Sequence, residues 1–81
     1  MEIVVLDRGW VYVAREVVES DKQLRLEGAR CIRRWGTTEG LAQLANEGPQ
    51  PKTKLEPECV VTAERSSVMH RIECRSAVWK S

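Results

Sequence analysis

Apolar positions in this chain come mostly in short runs that alternate with polar ones, the two-residue period of strands. Ile3 to Leu6 is a β-branched run closed by Asp7-Arg8-Gly9, and a second run, Trp10 to Val18, starts at once. This predicts a β-hairpin with Gly9 supplying the positive φ of its turn. In the second run Trp10, Tyr12 and Ala14 share one face while Val11, Val13 and Arg15 share the other. Both faces are partly apolar, which places this strand in the middle of a sheet.

After the polar turn Glu19-Ser20-Asp21-Lys22, the segment Gln23 to Glu27 alternates strictly and buries Leu24 and Leu26. Gly28 interrupts it as a bulge or a turn. Ala29 to Trp35 then puts Cys31, Arg33 and Trp35 on one face and Arg30, Ile32 and Arg34 on the other.

A helix is predicted within Gly36 to Gly48. Thr38 or Gly40 caps its start, Leu41, Leu44 and Ala45 form its apolar stripe, and Gly48 stands at the C-cap. At about two turns it is too short to persist alone in water, so it must lie against the sheet. Pro49, Pro51 and Pro57 bracket a polar stretch read as an exposed loop.

Two more strands are expected, Cys59 to Glu64 and Ser67 to Cys74, joined by a turn at Arg65 and Ser66; Val68, His70, Ile72 and Cys74 should share a face. Trp79, close to the end of the sequence, packs back on the body or onto a neighbouring subunit, and so is a candidate contact residue. The expected fold is α+β: a small β-rich domain of about five short antiparallel strands, barrel-like or an open sheet, with one short helix.

Length and composition narrow this picture. The 81 residues suffice for a single domain over residues 1–81. With no Phe and only Trp10, Tyr12, Trp35 and Trp79 as aromatics, the core must be largely aliphatic. A thin core in a chain near the lower size limit is commonly reinforced by disulfides, metal or self-association. Cys31, Cys59 and Cys74 are odd in number and widely spaced, a poor disulfide framework, and are read as small buried hydrophobes in a reducing cytosol. The sequence Cys59…His70-x3-Cys74, even with Cys31 added, lacks the close ligand pair from which structural zinc sites start. No metal or cofactor is expected, and self-association, as a homo-oligomer, is favoured by elimination.

Thirteen Lys and Arg against twelve Asp and Glu give a net charge of +1, too little to draw the chain to nucleic acid over long range. No apolar run approaches the roughly 18 residues of a membrane span, and the sequence opens directly on a strand pattern, so a cytoplasmic, membrane-free protein is expected.

Candidate chemistry is sparse. His70 alternates with Val68 and Ile72, which reads as a structural imidazole in or near the core, and a straight strand would hold it about 13 Å from Cys74, too far for a Cys/His dyad. The glycines follow neither dinucleotide-binding nor P-loop spacing, and paired glutamates such as Glu56 and Glu58 read as solvated rim residues. One concentration of positive charge has an aromatic neighbour: Arg30, Arg33, Arg34 and Trp35, with Arg25 nearby. Guanidinium forks beside an indole stack on bases, hold phosphates or grip acidic protein surfaces. Alternatively the arginines protect a strand edge from aggregation.

The segment Ala29-Arg30-Cys31-Ile32-Arg33-Arg34-Trp35, followed by a linker and Leu41-Ala42-Gln43-Leu44-Ala45-Asn46-Glu47-Gly48, resembles a family of short uncharacterised proteins of tailed bacteriophages and prophages. In that family an Ala/Arg strand ending in Trp leads to a Leu-x-x-Leu-Ala helix closed by Gly, and a later apolar strand ends near a Cys, as Ile72-Glu73-Cys74 does here. The Thr37-Thr38-Glu39-Gly40 linker and the short tail after Cys74 depart from it. The resemblance implies a phage or prophage accessory protein in a bacterial cytoplasm and carries over no active site. The expected activity is therefore binding without catalysis, to itself or to a host protein, for instance in a defence pathway. The alternative is a nucleic-acid or nucleotide-binding module using the Arg/Trp strand.

Overall fold

A computed structural model describes residues 1–79 as a curled antiparallel sheet with one α-helix on one face. The strands are β1 (Glu2–Leu6), β2 (Val11–Ala14), β3 (Glu16–Glu19), β4 (Gln23–Arg34), β5 (Lys54–Leu55), β6 (Cys59–Glu64) and β7 (Val68–Glu73), with the helix α1 (Leu41–Glu47) between β4 and β5. They follow five paths, because β2 runs into β3 through a bend at Arg15, and β5 and β6 lie along one side of β4. β1 lies between β7 and β2, and β4 pairs with β2 and β3 on its other side.

Alternation explains why both faces of β1 and β2 are apolar. Ile3, Val11 and Val13 join Ile32, Leu44, Ala45, Cys74 and Trp79 in a core under α1. Val4, Leu6 and Ala14 point the other way, into a second core with Leu24, Leu26 and Ala29, closed by Val17, Val61 and Val68. Six of the seven strands contribute to this second core, so it is the interior of the curl.

The curl depends on breaks in the pleat. Gly28 adopts φ 56° opposite the bend at Arg15, and beyond it the β4–β6 register shifts by one residue between Leu26 and Ala29. Leu24, Leu26 and Ala29 therefore all reach the same core although strict alternation would separate Ala29 from the leucines. A Cβ at Gly28 would meet only the mobile end of the Arg15 side chain, so the cost of Gly28→Ala is backbone strain, about 1–2 kcal/mol. Urea denaturation should register that loss; an unchanged midpoint would mean that the bend does not depend on the left-handed residue.

A second shift lies between β1 and β7: Val5 pairs with His70 but Leu6 with Val68, leaving Met69 as an extra, exposed residue. Val68 therefore enters the inner core while Ile72 and Cys74 pack under α1, so Val68 leaves the face expected to carry Val68, His70, Ile72 and Cys74. His70 is exposed, which corrects its assignment to the core.

The helix begins at Leu41 without a side-chain cap at Gly40; instead Gln43 reaches back and its Oε1 accepts from the Thr38 and Glu39 amides at 3.0 and 2.9 Å. Gly48, at φ 83°, donates its amide to the Leu44 carbonyl as the C-cap glycine was expected to do. Within the loop bracketed by prolines, Lys54 and Leu55 form the short β5.

A chain of ion pairs spans β7, β1 and the end of β3. Arg71 grips both Glu2 carboxylate oxygens, at 2.8 and 2.9 Å, and reaches Glu19 at 3.1 Å, while Arg65 approaches Glu19 at 3.7 Å. The Arg71 hydrogen bonds hold the Glu2 carboxyl below its ordinary value, so this bridge contributes stability above about pH 4.5 that disappears as pH falls through the lowered value. Arg71→Met is expected to lower stability by about 1 kcal/mol at pH 7, the small figure reflecting solvent screening of partly exposed partners. It should also flatten the acid limb of the stability profile below pH 4.5; an identical acid limb in the variant would assign that loss to other groups.

Candidate binding surface at the Arg/Trp end

The β1–β2 turn and the far end of β4 build one surface together. Leu6 donates its amide to the Trp10 carbonyl at 2.7 Å, closing the tight turn over Asp7–Gly9. Gly9 takes the positive φ expected of it, and Arg8 also lies in the left-handed region at φ 61°. For an arginine this costs about 1 kcal/mol, and such strain concentrates at functional segments.

Beyond the turn, Trp10 stacks on Tyr12 with ring centroids 6.3 Å apart and planes 11° from parallel, and Trp10 keeps 54% of its surface exposed. Tyr12 pairs with Cys31 across β4, and Trp10, Cys31, Arg33, Arg8 and Glu56 line an open cleft of about 500 Å³. Arg33 lies 3.5 Å from a Glu56 carboxylate oxygen, and Arg30 Nε donates to the Glu56 backbone carbonyl at 2.7 Å. Glu56 thus ties the arginine strand to the proline-bracketed segment. Burial, reinforced by the Glu56 charge, pushes the Cys31 thiol up, and burial likewise raises the Tyr12 phenol. A thiol shifted in this direction stays protonated at neutral pH and is a weak nucleophile.

The residues singled out in sequence therefore separate. Arg33 lines the cleft, Arg30 is half-buried beneath the segment carrying Glu56, and Arg34 is exposed. Trp35 is 42% exposed just past the end of β4, its carbonyl accepting from Thr53 Oγ1 at 2.5 Å. Arg25 is paired with Glu27 on the distant half of β4. Trp79 does not belong to this surface: it is 8% exposed in the core under α1, and its Nε1 donates to the Leu44 carbonyl at 2.8 Å. Of the two fates expected for it, packing on its own body is the one observed.

Trp10 and Tyr12 were placed by alternation on a face of a central strand, which reads as core. The signal that marks Trp10 as surface is its place directly after a turn, at the strand end. His70 is exposed on β7 but lines none of the clefts described. Cys59 is exposed and Cys74 buried, with burial raising the Cys74 thiol to about 11. Among the described residues no group of His, Cys, Asp or Glu is arranged to hold a metal, and no helix is long and apolar enough to cross a membrane. In comparisons with known proteins, no family model, no curated protein and no solved structure matches the chain.

Proposed function

We propose that this chain is a non-enzymatic phage or prophage accessory protein that acts in the bacterial cytoplasm by binding protein, with the Trp10/Tyr12/Arg33 cleft as its contact surface. The observation that carries the reading is the stacked Trp10/Tyr12 pair at the start of β2, whose half-exposed Trp10 lines the cleft together with Arg8 and Arg33. Rigid aromatic and arginine anchors carry most of the binding energy at protein interfaces, because they bury large area at little entropic cost. The phage setting rests on the strand and helix signatures from Ala29 to Gly48. A host protein, such as a component of a defence pathway, is the partner class this setting favours.

Charge pairing favours protein over nucleic acid. Arg15, Arg25, Arg33, Arg65 and Arg71 each face a glutamate, and the chain carries a net charge of only +1, so it offers little net positive field to a phosphate backbone. Self-association is a second mode, favoured by exposed Val18, Val60 and Met69 on strands β3, β6 and β7, which each pair along one side only.

The test compares wild type with a Trp10→Ala/Arg33→Ala variant as baits in bacterial lysate, with quantitative mass spectrometry and light scattering on the purified proteins. The expected result is a host protein, or a self-assembled species, at least tenfold depleted in the variant while its melting temperature stays within a few degrees of wild type. Equal recovery by both baits, with both monomeric, would sink the reading. Salt-sensitive binding of single-stranded DNA, weakened by Arg33→Ala, would replace it with the nucleic-acid alternative.

A further inference from the structure

On the helix-bearing side of the sheet, away from the aromatic cleft, a cavity of about 140 Å³ lies between β2, β4 and the proline-bracketed segment. Its floor is apolar, formed by Met1, Val13, Leu55 and Trp79, while Arg15, Arg30 and Glu58 reach its wall, two positive charges against one negative. The two arginines are balanced differently. Arg15 stands 3.5 Å from Glu58, whereas the half-buried Arg30 guanidinium has only a neutral backbone carbonyl as partner, and no carboxylate of the described residues lies within ion-pair distance of it. Its terminal N–H groups make no hydrogen bond within the described residues.

A partly desolvated cation that lacks a counter-charge, at the wall of an apolar cavity, is complementary to an anion carrying an apolar tail. The planar guanidinium matches the two oxygens of a carboxylate in particular. We infer that this cavity is a binding site for a small aliphatic carboxylate, whose headgroup pairs with Arg30 and whose hydrocarbon tail lies on Leu55, Val13 and Trp79. The volume admits a tail of only a few carbons, so long-chain fatty acids do not fit. The site is separate from the aromatic cleft and does not depend on what binds there.

Titration of the 81-residue chain with valerate, followed by backbone amide NMR shifts, tests the inference against three controls: inorganic phosphate, neutral valeramide and pentylamine. Valerate is expected to bind with a dissociation constant of about 1 mM, in line with the modest yield of a ligand of so few atoms, and to shift residues around Val13, Arg30 and Leu55. Each control should bind at least tenfold more weakly. Arg30→Gln should weaken valerate at least tenfold, and Leu55→Phe, which fills the floor, should abolish its binding without lowering the melting temperature. Should Arg30→Gln fail to fold, Arg30→Lys serves in its place, with a severalfold loss expected because it keeps the charge and loses the fork. Equal affinity for valerate and valeramide, or for valerate and phosphate, overturns the inference. So does valerate binding unchanged by the Arg30 substitution, or no binding at about 20 mM.

Discussion

Trp79→Ala is expected to cost about 3–5 kcal/mol of unfolding free energy, the range for removing a buried large aromatic, and to lower the melting temperature by at least 12 °C, from about 4 °C per kcal/mol for a domain of this size. The indole fills the space between α1 and the sheet with Ile3, Val11, Val13 and Ile32, and its N–H satisfies the Leu44 carbonyl at 2.8 Å. Trp79→Phe separates the two contributions. It keeps most of the ring but removes one of the two donors to that carbonyl, which still accepts from the Gly48 amide, for a loss of about 1 kcal/mol. Calorimetry on the two variants checks both figures. A melting temperature within 3 °C of wild type for the alanine variant would mean that the residue is dispensable to the fold and is again a candidate for contact with a partner.

Leu26→Ala should be nearly as damaging, at about 3–4 kcal/mol, because Leu26 is fully buried in the inner core and the curled strands around it cannot collapse into the vacated volume. The two substitutions strike different cores, one under the helix and one inside the curl. Both cores share β1 and β2, whose alternating residues feed each side, so chemical denaturation of either variant should still show one transition. A Leu26→Ala protein whose far-ultraviolet and tryptophan signals melt at different urea concentrations would show instead that the cores come apart independently.

Much of the architecture was legible in the sequence because strands carry their own period. The β1–β2 hairpin with its Gly9 turn, the last two strands and the helix closed by Gly48 all follow from spacing and cap chemistry. What escaped was wherever the pleat is interrupted. Alternation assumes an unbroken strand, and a single extra residue inverts every side chain beyond it. Gly28 advertised one such point, since glycine in a strand marks a bulge or bend; nothing in Val68-Met69-His70 advertises the other, which comes from pairing with β1. That bulge is why Val68 faces the inner core while Ile72 packs under α1.

The candidate surface was half legible. Arg33 was found as charge concentrated beside an aromatic residue in one strand, but Trp10, which lines the cleft with it, lies some twenty residues earlier and meets it only through the β2–β4 pairing. Arg30 was identified for its charge, yet what distinguishes it is the carboxylate that it lacks, a property of three-dimensional surroundings. The left-handed Arg8 has no sequence signature, since arginine is not a residue that favours that conformation.

The pairing of Glu2 with Glu73 brings together residues at almost opposite ends of the described chain. Until that ladder forms, β1 is paired along one side only, to β2. Closing that ladder spans nearly the whole described chain, a long-range contact of the kind that moves folding from microseconds toward milliseconds or seconds. A nascent chain halted before β7 would carry an N-terminal strand with one side unsatisfied, a tacky edge exposed for as long as synthesis lags.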